Sequence, residues 1–221
     1  MSYSGGGDGR VQYAHHHRAR HRMLTITKIL AISGSLRAGS LNTEVLHACA
    51  LLTPPSMQFT IFEGLASLPH FNPDDDEEGA ILPASVARLR REVGDADALI
   101  ISSPEYAHGV PGSLKNALDW LVSSPAMVYK PVGLVNLSPR STYAYASLRE
   151  ILATMSTLLI PAALVSLALT RSRVTAEGIA GDPETADRLR AALMSLSIAG
   201  GQYRLHRSEW MNGNNLLSQA V

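Results

Sequence analysis

The sequence predicts a doubly wound α/β sandwich on a five-stranded parallel sheet, strand order 2-1-3-4-5. Three observations lead there. Short apolar runs without polar alternation recur along the chain, as expected of strands covered on both faces. Between them lie stretches with apolar residues at helical spacing, and glycine, proline or short polar residues mark most of the junctions. The length of 221 residues suits one large α/β domain with extensions. Right-handed crossovers then leave few ways to thread five strands and five helices into one sheet.

Ile29-Leu30-Ala31-Ile32 is the first strand, ended by Ser33-Gly34. A helix follows after Asn42, with Val45, Leu46, Cys49 and Leu52 at helical spacing, until Pro54-Pro55 stops it. Met57 to Ile61 is the second strand. A polar loop then runs through Pro69, Pro73, the acidic stretch Asp74-Asp75-Asp76-Glu77-Glu78 and Gly79. The next helix aligns Val86, Leu89, Val93 and Ala96 and leads into the third strand, Ala98-Leu99-Ile100-Ile101. The pattern repeats with a helix around Leu114, Leu118 and Leu121, a strand from Val132 to Leu137, and a helix carrying Leu148, Ile151, Leu152 and Met155. A fifth strand is expected near Leu164 to Leu169. The last helix takes Asp182 as N-cap and Pro183 at its first position, and turns Ala186, Leu189, Leu193 and Leu196 toward the sheet.

Domain organisation follows from composition. Residues 1–23 hold a glycine triplet, His15-His16-His17 and four arginines against one acid, with almost no apolar periodicity, and are expected to form a disordered tail. The folded domain is expected over 24–203, with 204–221 as a C-terminal tail. Nineteen basic residues balance nineteen acidic ones, which argues against a nucleic-acid binder. One cysteine, Cys49, excludes an intrachain disulfide and a Cys-rich zinc site. The histidines at 47, 70, 108 and 206 show no ligand spacing, so no metal site is expected. No apolar run reaches the roughly 18 residues that a membrane helix requires. The expected setting is cytoplasmic and reducing, away from membranes.

In a doubly wound sheet, ligands bind beyond the carboxyl ends of the strands near the switch in strand order. The loop after the first strand, residues 34–43, joins a buried strand to a helix start, where backbone N–H groups and the helix macrodipole attract an anion. Ser35, Ser40, Asn42 and Thr43 add short polar groups there, Leu41 sits among them, and Arg37 adds a positive fork. That composition is a phosphate cradle; the alternative is an ordinary helix cap with loop glycines. No Gly-Lys-Ser/Thr follows and the G-x-G-x-x-G spacing is missing, so it is neither a P-loop nor a dinucleotide fingerprint. The loop after the third strand contains Pro104, Glu105, Tyr106, Ala107, His108, Gly109, Pro111 and Gly112. Two prolines and two glycines shape this connection and bring backbone donors and an aromatic ring beside the first loop, where a flat heteroaromatic ligand can lie. Trp120, on the helix that follows, reads as core packing.

These residues resemble the NADPH-dependent FMN reductases, a family that includes quinone, chromate and azo-dye reductases. The resemblance rests on Gly-Ser-Leu-Arg-x-x-Ser-x-Asn at 34–42, Pro-Glu-Tyr at 104–106 and Pro-Gly-x-Leu-Lys-Asn-Ala-x-Asp-Trp at 111–120. Leu68-Pro69-x-Phe71-Asn72-Pro73 followed by acids is also similar, and the likeness covers about residues 28–196.

The resemblance implies a flavodoxin-like fold binding FMN, with Ser35, Arg37, Ser40, Leu41 and Asn42 at the phosphate and Pro104, Glu105, Tyr106 and Ala107 bordering the isoalloxazine ring. Many relatives carry asparagine where this chain has Ala107, and His108 is the nearest replacement for that contact. After the fourth strand the family often has a glycine-rich stretch; here the segment is Asn136-Leu137-Ser138-Pro139-Arg140-Ser141, which leaves Asn136 and Ser138 as the ring-side candidates. Arg140 is a candidate for the 2′-phosphate of NADPH, against a reading as a solvated arginine. The implied activity is hydride transfer from NADPH to flavin N5, then ping-pong reduction of a small-molecule acceptor such as a quinone, azo compound, metal oxyanion or free flavin. No catalytic side chain is required, and a homodimer or homotetramer is implied. The rival readings are an FMN-binding electron carrier and a sensing module without turnover.

Overall fold

The computed structural model describes residues 26–140, 142–169 and 174–217. The expected tail over 1–23 lies outside them, as do Ser141 and residues 218–221.

Five parallel strands form one sheet in the order β2-β1-β3-β4-β5. They are β1 (Thr27–Ser33), β2 (Met57–Ile61), β3 (Ala98–Ser102), β4 (Pro131–Asn136) and β5 (Leu158–Ser166). Alternate residues of each strand point to opposite faces, so the apolar runs build two cores. Leu30, Ile32, Leu99, Ile101 and Leu134 pack against α2 (Ala84–Asp95), α3 (Gly112–Asp119) and α4 (Thr142–Thr154). Ile29, Ala31, Ile100 and Val165 pack against α1 (Leu41–Leu52), α5 (Ala176–Gly181) and α6 (Pro183–Leu217). The doubly wound flavodoxin-like fold and its strand order are as expected. So is Trp120, which is fully buried, meets Phe71 edge-on at 5.1 Å and donates from Nε1 to Pro69 O (2.9 Å).

Three elements differ from the sequence expectation. The fifth strand runs over Leu158–Ser166 rather than 164–169. Its register against β4 jumps from Val132↔Leu159 to Leu134↔Leu164, and Pro161 falls in the resulting bulge. An edge strand tolerates proline there because no ladder donor is needed. A short helix, α5, precedes α6; Thr175 caps it, accepting the Gly178 N–H at 3.2 Å.

The third difference is at the C-terminus, where the expected tail over 204–221 is, as far as Leu217, a continuation of α6. The helix begins where Asp182 accepts the Thr185 N–H (3.0 Å), as the N-cap reading expected. Polar anchors hold its later turns, which is why apolar periodicity did not reveal them. Arg204 pairs with Asp97 (3.3 Å), Arg207 donates to Gly94 O (2.5 Å), and the ammonium of buried Lys130 lies 4.4 Å from the Tyr203 ring centroid. Gly200 lets the helix approach: a Cβ there would lie 3.1 Å from both Asp97 Cβ and Thr27 Cγ2.

Candidate functional site

The loops leaving β1, β3 and β4 meet beyond the carboxyl edge of the sheet and enclose an open cleft of about 1200 Å³. Its lining includes Ser35, Arg37, Ser40, Leu41, Asn42, Pro104, Glu105, Tyr106, Asn136 and Ser138, ten of the fourteen residues expected to hold a cofactor. Thr43, Ala107, His108 and Gly109 are not part of that lining.

The first loop is shaped by its own hydroxyls. Ser35 N–H donates to Ser33 Oγ (3.4 Å), Arg37 N–H to Ser35 Oγ (3.3 Å) and Asn42 N–H to Ser40 Oγ (3.3 Å). A serine oxygen that accepts a backbone N–H retains its own proton as a donor, so Ser35 and Ser40 are fixed in place and still able to bind an anion. Ser40 is the N-cap of the twelve-residue α1, at its positive end. Thr43 lies beneath the loop, its hydroxyl 2.9 Å from Ser33 Oγ. Gly34 carries the close contact between the first two loops: a Cβ there would stand 2.8 Å from Ser103 Oγ and 3.0 Å from Leu114 Cδ2.

Asn42 is almost fully buried, and its Oδ1 accepts from Ser102 Oγ at 2.9 Å. Ser102, itself fully buried, also lies 3.2 Å from Val135 O, so one hydroxyl ties α1, β3 and β4 together directly under the cleft. The only trace of this buttress in the sequence is a small polar residue closing an apolar run.

The second loop turns back on itself at Tyr106–Gly109, where Tyr106 N–H donates to Gly109 O (3.1 Å) and Gly109 N–H to Tyr106 O (2.9 Å). Ala107 and His108 take φ of +48° and +58°, as in a type I′ turn. That geometry carries His108 away from the cleft and onto Tyr143, ring stacked on ring at 4.5 Å. Glu105 has a structural partner that the sequence reading missed: its Oε2 accepts the Ala144 N–H (2.9 Å) in the first turn of α4. In the third loop, Asn136 Oδ1 accepts the Ser138 N–H (3.1 Å) and Ser138 Oγ the Arg140 N–H (3.3 Å). Arg140 also lines the cleft, as do Ala168, Leu169 and Val174, which were unassigned while the fifth strand was expected to run through Leu169.

Comparison with known proteins bears on this arrangement. Residues 27–170 match the family described as NADPH-dependent FMN reductase. The chain belongs to the NADPH-dependent FMN reductase family. Among curated relatives, an NAD(P)H:quinone oxidoreductase of Solanum tuberosum is 31% identical over 182 residues, which cover 77% of this chain and 91% of that protein. An NAD(P)H-dependent FMN reductase of Pseudomonas aeruginosa is 37% identical over 113 residues, covering 50% of this chain and 60% of that one. A quinone reductase of Escherichia coli is 38% identical over 108 residues, covering 48% and 56%. The chain therefore spans little more than half the length of these two bacterial relatives. A flavoenzyme NAD(P)H:(acceptor) oxidoreductase from Paracoccus denitrificans shares the fold, with a TM-score of 0.68 at 24% identity over 80% of this chain and 99% of that one. No helix among the described residues is long and apolar enough to cross a membrane, and these residues hold no cluster of three or more metal-ligating side chains.

Proposed function

We propose that this protein is an NAD(P)H-dependent quinone reductase that works through bound FMN. The observation that carries this reading is the two-ended character of the cleft beyond the carboxyl edge of the sheet. One end offers the Ser35 and Ser40 hydroxyls, Arg37 and the N-terminus of α1. The other offers Pro104, Tyr106 and Pro139 beside Asn136 and Ser138. A dianionic phosphate fits the first and a flat, mostly apolar ring with polar edges fits the second. The volume is also ample, since small-molecule sites run to roughly 300–1000 Å³. The P. aeruginosa and E. coli relatives, named an FMN reductase and a quinone reductase, support the same reading.

In this reading Ser35, Arg37, Ser40, Leu41 and Asn42 hold the phosphate, with Thr43 supporting them from below. Pro104, Glu105 and Tyr106 border the ring on one side, and Asn136 and Ser138 on the other. Ala107, His108 and Gly109 form the turn that places Tyr106. FMN, when bound, supplies the redox chemistry by taking hydride at N5 and returning two electrons. Overall, NAD(P)H, one proton and a quinone give NAD(P)⁺ and the hydroquinone. The chain contributes binding and orientation and needs no nucleophile. Nucleotide and acceptor occupy the open cleft in turn, which makes turnover ping-pong. Azo compounds, metal oxyanions and free flavin are further acceptors under the same scheme, and Arg140, which lines the cleft, is the candidate for the 2′-phosphate of NADPH. The working form is a homo-oligomer in a reducing, cytoplasmic setting.

The test is a visible spectrum of the purified protein after FMN addition, followed by anaerobic NADPH and then a naphthoquinone. Bleaching by NADPH and recovery on quinone addition are expected. A protein that binds FMN without being bleached is an electron carrier or sensor, and one that binds no FMN contradicts the whole reading.

A further inference from the structure

We infer that Glu44 is a positioning residue that fixes the wall of the cleft beyond β5 and thereby sets how long FMN stays bound. This inference rests on the flavin-site reading above and adds to it a residue that does not itself line the cleft.

Three observations support it. The first is the pair of bonds that Glu44 makes. Its N–H donates to Ser40 O (2.9 Å), one turn back in α1, and its Oε2 accepts the Ala176 N–H (3.0 Å) in the first turn of α5. One half-buried residue thus ties the serine that caps α1, a member of the cradle, to a segment 132 positions away. The second is where that segment leads. Val174, two residues before Ala176, lines the cleft together with Ser40 and Leu41, and so do Ala168 and Leu169. These three apolar residues come from none of the loops after β1, β3 and β4, and they close the cleft on the side of β5. The third is how the wall is held. Leu169 and Val174 pack on the apolar cluster that includes Val45 and Cys49 of α1 and Ala176 and Ile179 of α5. Such contacts are non-directional and leave the wall free to slide. A helix start leaves its first N–H groups without partners inside the helix. In α5 the Thr175 hydroxyl takes the Gly178 N–H (3.2 Å), and the Ala176 N–H goes to Glu44. The carboxylate therefore supplies the directional bond that sets the wall against the cradle end of α1. Without it the wall moves outward and the flavin leaves sooner.

The experiment measures the rate at which FMN leaves the oxidised holoprotein, followed by flavin fluorescence after dilution. Glu44→Ala removes the acceptor and should speed release roughly three- to tenfold. Glu44→Gln keeps a carbonyl oxygen for the Ala176 N–H and should stay within about twofold of wild type. Arg204→Ala breaks the ion pair with Asp97 at the other end of the sheet, controls for lost stability, and should leave the rate unchanged. If Glu44→Ala does not fold, Val174→Ala trims the wall with the Glu44 bond in place and should also speed release. Release at the wild-type rate from Glu44→Ala, or from Val174→Ala in its place, would overturn the inference. Equal acceleration in Glu44→Gln would overturn it by assigning the effect to charge, and equal acceleration in Arg204→Ala by assigning it to stability. A wild type that binds no FMN would overturn the flavin-site reading instead, so the two failures are told apart.

Discussion

Replacing Lys130 with methionine should remove a pH dependence of stability that the fold builds in at the end of the sheet opposite the cleft. Lys130 is fully buried, and its Nζ donates to Val93 O (3.0 Å) and to Ala96 O at the end of α2. Burial, and after it the Arg207 guanidinium, push its ammonium down to about 7 from an ordinary 10.5, against the pull of Asp97 and Asp95. The folded value lies below the unfolded one, so above pH 7 the folded protein releases this proton while the unfolded chain keeps it. Stability from this group therefore rises with pH from about 7 toward 10.5 and is lost as pH falls through about 7. One proton gives a limiting slope of about 1.4 kcal/mol per pH unit, which integrates to about 2 kcal/mol between pH 7 and pH 9. The buried Cys49 thiol, pushed up from 9.0 to about 12, acts in the opposite sense above pH 9, so the scan should stop there. Thermal or urea unfolding of wild type and Lys130→Met at pH 7, 8 and 9 is the assay. The gap between the two proteins should change by about 2 kcal/mol in favour of wild type, or roughly 4–8 °C in Tm at this chain length. Parallel curves would refute the reasoning and show that the two carbonyls and the Tyr203 ring keep the ammonium charged.

Three further outcomes follow from the cleft. Gly34→Ala should cost about 1–3 kcal/mol by forcing the first two loops apart, and adding Ser103→Gly should recover much of it, as chemical denaturation of the three variants would show. Glu105→Ala leaves the Ala144 N–H without its carboxylate and should lower stability by about 1 kcal/mol, with Glu105→Gln falling between; equal stability of all three would show that the α4 contact contributes nothing. Arg37→Ala should weaken FMN binding about tenfold or more while leaving hydride transfer in the flavin-saturated enzyme nearly unchanged, read by fluorescence titration and stopped-flow reduction. An unaltered dissociation constant would move the phosphate away from the first loop.

The sheet was legible because parallel strands buried on both faces leave unbroken apolar runs, and β2 has the bounds its sequence indicated. Its order was reachable because chirality restricts the crossovers. Pro161 hid the start of β5, since proline argues against a strand unless a bulge holds it, and only the pairing with β4 reveals that bulge. The far turns of α6 were hidden for a different reason: Tyr203, Arg204 and Arg207 anchor it through ions and a ring rather than an apolar stripe. The first loop could be read locally, because serines, a helix start and an arginine in ten residues carry their chemistry with them. The second could not be read to the same depth. Whether His108 faces a ligand or Tyr143 depends on a turn conformation and on a helix more than thirty residues away. The bond from Ala144 to Glu105 spans 39 positions in sequence, beyond any local signal.

The most direct test of the central claim is a crystal structure of the full chain soaked with FMN. The account predicts the phosphate within hydrogen-bonding distance of Ser35, Arg37 and Ser40, with the isoalloxazine ring against Pro104 and Tyr106. Electron density for the flavin elsewhere on the protein, or a cleft still vacant at saturating FMN, would contradict it.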